Sequence, residues 1–258
     1  MGLRLDAELN PDRKLSRDSG VASSNSADVR RHRLQVASQE RWGDDIHVLK
    51  LGPAGDDLPS FYPGHYAALE FDDGLSRPLS IASAPGAQRL EFHVKHFEGS
   101  EFTRRICKDL TVGDSVTVYA PFGNAWLRND ESRPLLLVAG GTGLAPAKAM
   151  VEHLCRTNDT RRLRLYWGVR RHAELYAVEF LDCLTEGHPD FRWQPVLMEC
   201  GAEWKGARGF VHEAALRFCS TPEAQDIYLS GPPAMLTSAA RAFRKAGARS
   251  DRLFHDSC

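Results

Sequence analysis

Apolar and polar residues alternate in short runs through the first half of the chain, and the period changes in the second. Between residues 28 and 130 the runs RHRLQVA, DIHVLKL, HYAALEF, RPLSIAS, RLEFHVK and SVTVYAP have a period near two, with Gly, Pro or Asp between them. Regularly spaced short strands with turn signals predict an antiparallel sandwich or barrel. A single helix interrupts them. In GSEFTRRICKDL, Phe102, Ile106 and Leu110 recur every four residues, and Ser100, after Gly99, supplies an N-cap hydroxyl.

Past Arg133-Pro134 the apolar runs lose their alternation: LLLVA (135–139), LRLYW (163–167), FRWQPVL (191–197), DIYLS (226–230) and RLFHD (252–256). Helix-length amphipathic stretches near 145–156, 173–186, 210–219 and 232–246 lie between them. Strand-helix alternation of this kind predicts a parallel sheet covered on both faces. Residues 1–27 are polar and Ser-rich, with too little apolar content to pack, and read as a disordered tail. The expected organisation is a tail (1–27), a β-barrel domain (28–130) and a doubly wound α/β domain (131–258).

Composition narrows the possible roles. The 258 residues carry a formal net charge of -1, so nothing suggests a polyanionic partner such as nucleic acid. No Lys/Arg-clustered basic domain is evident. The six cysteines form no C-x-x-C pair and lack the C-x4-C-x2-C spacing of a plant-type iron-sulfur site, so reduced thiols and no metal cluster are expected. The N-terminus has no apolar signal region, and Asp6 stands where a myristoylation motif requires Ser or Thr. With no run suited to a membrane span, a soluble cytoplasmic protein is the default expectation.

LLLVAGGTGLAPAKA (135–149) raises the first chemical question. Glycines at the carboxyl end of a strand and ahead of a helix let a backbone approach a pyrophosphate, and the helix N-terminus adds partial positive charge. The loop matches neither G-x-x-x-x-G-K-[ST] nor G-x-G-x-x-[GA], because Pro146 stands at the third glycine position. By itself it is as readily a tight strand-to-helix turn as a nucleotide site.

Other motifs supply the context. RPLSIAS (77–83), with YPGHYAALEF (62–71), resembles the flavin-binding strands of the ferredoxin-NADP reductase superfamily. The resemblance continues in order through HVK (93–95), EGSEFT (98–103), APFG (120–123), VAGGTGLAP (138–146), YWGVR (166–170), YLSGPPAM (228–235) and LFHD (253–256). Within the superfamily the chain looks closest to bacterial NAD(P)H:flavin oxidoreductases and to reductase components of oxygenase and deoxysugar systems. That likeness implies a Greek-key antiparallel β-barrel that holds flavin, followed by an α/β domain that holds NADH or NADPH.

The resemblance also implies residue roles. Arg77 and Pro78 would meet the flavin phosphate, Leu79 would cover the ring, and the Ser80 hydroxyl would reach flavin N5. His93, Val94 and Lys95 would pass under the ribityl chain, offering mostly backbone groups, while Gly99, Ser100 and Thr103 would hold flavin phosphates. Ser100 is equally an ordinary N-cap. Gly141, Thr142 and Gly143 would take the nicotinamide nucleotide's pyrophosphate, with Ser230, Gly231, Pro232 and Pro233 forming the nicotinamide wall. Arg170 or Arg171 would contact the adenosine 2′ position. The segment HFEGSEFT favours FAD, with FMN or free flavin as the alternatives.

Four positions depart from the superfamily pattern. Leu79 replaces an aromatic, His65 a glutamine, Ser230 a cysteine and Cys258 a terminal aromatic, while Asp256 keeps the acidic position. Cys258 reads either as a thiol near the redox ring or as a frayed end. The expected activity is an NAD(P)H-dependent reductase with Ser80, Ser230 and Asp256 at its centre. It would pass electrons to an oxygenase, an iron-sulfur protein or released free flavin. A non-catalytic electron-transfer or scaffold subunit of the same fold is the rival.

Overall fold

The structure, a computed structural model, describes residues 28–55, 57–128 and 133–256. The expected tail, the 130/131 boundary and Cys258 lie outside the described residues. Six antiparallel strands form the first sheet: β1 (Arg30–Trp42), β2 (Ile46–Pro53), β3 (Tyr66–Glu70), β4 (Ser76–Ser80), β5 (Leu90–Lys95) and β6 (Ser115–Phe122), in the order β4-β3-β6-β1-β2-β5. All six alternating runs of the sequence became strands. The sheet curls until its outer strands approach, and an isolated bridge, Ile81 with Phe92, joins their edges. Leu34, Leu49, Leu69, Phe92 and Val118 fill the interior, each at most 1% exposed.

One helix follows β5, as the spacing of Phe102 and Ile106 predicts. α1 (Glu101–Arg104) starts at Ser100, whose hydroxyl accepts from the Thr103 N–H, and runs into a wider turn over Arg105–Asp109. Phe102 and Ile106 are buried under the curled sheet.

The second sheet is parallel. It contains β7 (Leu135–Gly140), β8 (Leu163–Val169), β9 (Phe191–Leu197), β10 (Ala207–Arg208), β11 (Asp226–Ser230) and β12 (Leu253–Phe254), in the order β10-β9-β8-β7-β11-β12. The helices are α2 (Leu144–Arg156), α3 (Val178–Gly187), α4 (Val211–Phe218) and α5 (Pro233–Lys245). Leu135, Leu137 and Ala139 pack with α2 and α3 on one face, and Leu136, Val138 and Leu229 with α4 and α5 on the other. Apolar side chains on both faces explain why these strands read as unbroken runs.

Two local expectations needed correction, and one short strand had not been expected. The 173–186 stretch is not one helix: a short turn covers His172–Glu174 and α3 begins only at Val178. Burial of Tyr176 and Ala177 between the two pieces takes precedence over continuous helix. The run 252–256 keeps only two strand residues, since Asp256 turns away to bond elsewhere. The two-residue β10 has too short a pattern to be legible.

β7 is followed by β8 on one side, whereas β11 returns to its other side. From these neighbouring carboxyl ends the chain therefore goes to opposite faces of the sheet, into α2 after β7 and into α5 after β11. In open α/β sheets this switch point is where ligands bind.

Candidate active site

The switch point opens directly onto the curled sheet. A cavity of about 200 Å³ lies along the seam, walled by Pro78, Leu79 and Ser80 at the end of β4, His93 on β5, and Gly64 and Tyr66. Thr142, Gly143, Ser230, Gly231 and Pro233 face them from the parallel sheet, with Asp256 closing one end. Residues sixty or more positions apart in sequence thus share one space. Because β4 and β5 are the outer strands of the first sheet, their outward backbone edges face the gap between them. Such edges offer hydrogen-bonding groups to a ligand.

Glycine is required at two positions of this site. A Cβ on Gly143 would stand 2.4 Å from the Ser230 carbonyl oxygen and 2.7 Å from the Gly231 nitrogen. The loops after β7 and β11 touch backbone to backbone there. The Ser230 hydroxyl fastens the contact by donating to the Gly143 carbonyl at 2.6 Å. Gly141, at φ +55°, has open space where a Cβ would lie. Its carbonyl accepts from the Trp167 indole N–H at 2.9 Å. Of the two glycines expected to admit a phosphate, Gly143 is needed for protein packing, and Gly141 faces open space.

Asp256 ties the two halves together. Its carboxylate accepts from the Asn124 N–H at 2.9 Å and the Ala125 N–H at 3.0 Å, across the loop that follows β6. A Cβ on Gly123, at φ +102°, would stand 2.5 Å from the same carboxylate. Next to this loop Trp126 stacks on Tyr62, and the Arg128 guanidinium lies over the Trp126 ring at 3.5 Å and over Phe254 at 4.9 Å. His65 is 4% exposed behind this stack and accepts the Tyr62 N–H at Nδ1. Burial is the main cause that holds its imidazole down at about 4.

The remaining expected residues stand outside the cavity. Arg77 is on β4 opposite Leu69, half-buried, and donates to the Ser76 carbonyl. Val94 points into the barrel core, so only its backbone is available to a ligand. Gly99 and Ser100 line a separate crevice of about 240 Å³ with His96, Arg104 and Lys108, and Thr103 bonds back to Ser100. Lys95 and Gly141 line another of about 60 Å³, with Arg171, and Thr142 borders both this space and the seam cavity. Arg170 is exposed and paired with Glu199 at 2.7 Å, while Pro232 caps α5, whose first residue is Pro233.

Sequence reasoning missed the polar groups buried beside the cavity. Lys148 on α2 is 3% exposed, and its Nζ lies 3.0 Å from Glu91 on β5. The same Glu91 oxygen contacts His93 Nε2 at 2.9 Å, and His93 Nδ1 meets the Tyr176 hydroxyl at 2.9 Å. A signal existed: Lys148 sits among Leu144, Ala145, Pro146, Ala147, Ala149 and Met150, which leave no polar face for it.

Among the described residues no group of three His, Cys, Asp or Glu side chains is placed to hold a metal ion. None of their helices is long and apolar enough to cross a membrane.

Residues 137–241 match the family model described as the oxidoreductase NAD-binding domain. An NAD(P)H-flavin reductase of Vibrio harveyi is 32% identical over 203 residues, covering 76% of this chain and 86% of that protein. The chain belongs to the ferredoxin-NADP reductase superfamily. A second relative of this superfamily, the reductase component of phenol 2-monooxygenase from Pseudomonas sp. strain CF600, is 38% identical over 185 residues, 69% of this chain. The chain spans only 52% of that relative's length. Among solved structures, the Amycolatopsis reductase GcoB superposes with a TM-score of 0.81 at 28% identity, covering 89% of this chain and 72% of that one. The curled sheet and the parallel sheet correspond to the superfamily's flavin-binding and nucleotide-binding folds.

Proposed function

We propose that this chain is an NAD(P)H-dependent flavoprotein reductase, with a flavin domain over 28–130, a nucleotide domain over 131–258 and a tail over 1–27. The observation that carries the proposal is the seam cavity. Ser80 and the β4 edge form one wall of it, and Gly143, Ser230 and Gly231 form the other. Two planar rings brought together from opposite domains would meet there.

The residues present suit a flavin nucleotide. The facing edges of β4 and β5 supply backbone donors and acceptors, Leu79 and Tyr66 supply apolar cover, and Ser100 and Lys108 supply donors for phosphate in a crevice where Glu101 and Asp109 hold Arg104. Arg77 adds a guanidinium beside Pro78. Bound there, the flavin would accept a hydride equivalent and pass electrons on; the chain's contribution is to orient the rings and limit water between them. The Ser80 hydroxyl offers a donor small enough to leave a ring face open. Ser230, held by its bond to the Gly143 carbonyl, fixes the wall on the nucleotide side. Asp256 fixes the loop over the cavity's end by accepting two backbone N–H groups.

FAD is the favoured flavin, on the likeness of HFEGSEFT. The acceptor is an oxygenase, a separate iron-sulfur protein or free flavin, in line with relatives named as an oxygenase reductase component and as a flavin reductase. The test is to purify the chain, identify its flavin by chromatography after denaturation, and follow reduction by NADH and by NADPH in a stopped-flow instrument. Rapid bleaching of bound flavin, or NAD(P)H oxidation once free flavin is added, is expected. No oxidation with flavin, ferricyanide or dye acceptors would refute the proposal and leave a non-catalytic subunit.

A further inference from the structure

β5 alternates strictly: Leu90, Phe92 and Val94 enter the barrel core, which turns Glu91 and His93 to the opposite face. In an isolated barrel that face would be wet. Here α2 covers it, and Glu91 and His93 are only 9% and 5% exposed. Lys148 arrives from α2, one turn beyond the loop at Gly141–Gly143, and contacts Glu91 at 3.0 Å, the Ala82 carbonyl at 3.3 Å and Glu152 at 3.4 Å. The Phe180 ring covers its ammonium at 4.3 Å. Tyr176, also from the parallel-sheet side, closes the chain at His93.

Protonation along this line is dictated by its acceptors. Burial works to raise the Glu91 carboxyl, but the bond from His93 and the Lys148 charge prevail and hold it at about 2. An ionised carboxylate only accepts, so His93 Nε2 carries the proton that points at it. Burial keeps the His93 imidazole neutral, which leaves Nδ1 to accept from the Tyr176 hydroxyl. Each contact is therefore directional. A buried ion pair of this kind is poor evidence of net stabilisation, because desolvating both charges offsets their attraction. What it can fix is relative position.

We propose that Lys148, Glu91, His93 and Tyr176 form a buried aligning clasp that sets α2 and its glycine loop against β5, and that they are positioning residues for the approach of the two cofactor rings. The clasp rests on the reductase reading for its purpose, and its geometry can be tested without turnover. Its members touch neighbouring walls of the cavity: His93 lines it directly, and Lys148 lies between Ala147 and Ala149 on the helix whose Ala145, Pro146 and Ala147 line it.

The test compares Lys148→Met, Glu91→Gln, the double variant and Tyr176→Phe. Each is read by urea unfolding, by the distance between spin labels on the two domains, and by the stopped-flow rate of flavin reduction at saturating nucleotide. Lys148→Met alone leaves a buried carboxylate uncompensated and is expected to be strongly destabilised. The double variant removes both charges, so its unfolding midpoint should return towards that of the parent while the label distances stay broadened and the rate stays down by about a hundredfold. If Lys148→Met and Glu91→Gln do not fold, Tyr176→Phe, which loses only one hydroxyl, should still broaden the distances and lower kcat more than it raises KM. Recovery of stability, narrow distances and rate together in the double variant would overturn the clasp. Distances broadened in the variants but narrow in a parent protein that shows no flavin reduction would instead keep the clasp and remove the reductase reading.

Discussion

His65 gives the most quantitative check on the seam. In the folded chain its imidazole is neutral down to about pH 4, because burial disfavours the cation, and Arg128 adds to this while Asp256 partly opposes it. In the unfolded chain it protonates near 6.5. A lowered histidine value means that the unfolded state binds the extra proton first as pH falls. The corresponding stability is thus complete above 6.5 and lost progressively between 6.5 and about 4. The full gap corresponds to about 3 kcal/mol, of which about 2 kcal/mol should disappear between about pH 7.5 and about pH 5. His93, His47, His153 and His212 are also lowered by burial, so the absolute slope mixes several groups. The difference between the parent and His65→Gln isolates one of them. Urea unfolding at a series of pH values should show the parent losing its advantage, or gaining a deficit, by about 2 kcal/mol relative to the variant on acidification. A difference that stays flat across that range would refute the assignment of His65 as a neutral buried histidine.

Other consequences can be measured alongside. Ser80→Ala should fold normally yet reduce its flavin about a hundredfold more slowly in stopped flow, and an unchanged rate would remove the hydroxyl from the reaction. Gly143→Ala drives a methyl into the Ser230 backbone and should cost about 1–3 kcal/mol in chemical unfolding. Gly141→Ala meets no neighbour but must adopt φ +55°, so a milder loss is expected there. Asp256→Ala leaves the Asn124 and Ala125 N–H groups without their acceptor and should lower stability by about 1–2 kcal/mol, with looser flavin retention seen by gel filtration. Glu199→Gln unpairs Arg170 from its 2.7 Å partner, so KM for NADPH should fall more than KM for NADH.

The strands were legible because each faced one dominant environment. LLLVA kept its unbroken burial in β7, RPLSIAS formed β4 although all five strand residues are half-buried rather than alternating, and the helix at Ser100 began where its cap predicted. LEFHVK shows where that logic stops. Its second face reads as solvent-facing, yet Glu91 and His93 are buried because α2, more than fifty residues away in sequence, covers them. Gly143 was likewise legible as a required glycine, but one of the constraints on it was not. That constraint comes from Ser230, and their contact depends on β11 returning beside β7, a strand order that periodicity does not encode.

The bond from Asp256 to the Asn124–Ala125 backbone separates what holds the cavity's end from what holds the cores. The hydrophobic cores on either side of the seam draw almost entirely on residues before Leu253, and Lys148, Glu91, His93 and Tyr176 already join the two sides there. The Asn124–Ala125 loop, by contrast, takes its acceptor from a side chain 131 positions further along the chain. Replacing Asp256 alone would therefore leave nearly all of the core in place and remove only the acceptor that pins the Asn124–Ala125 loop at the cavity's end.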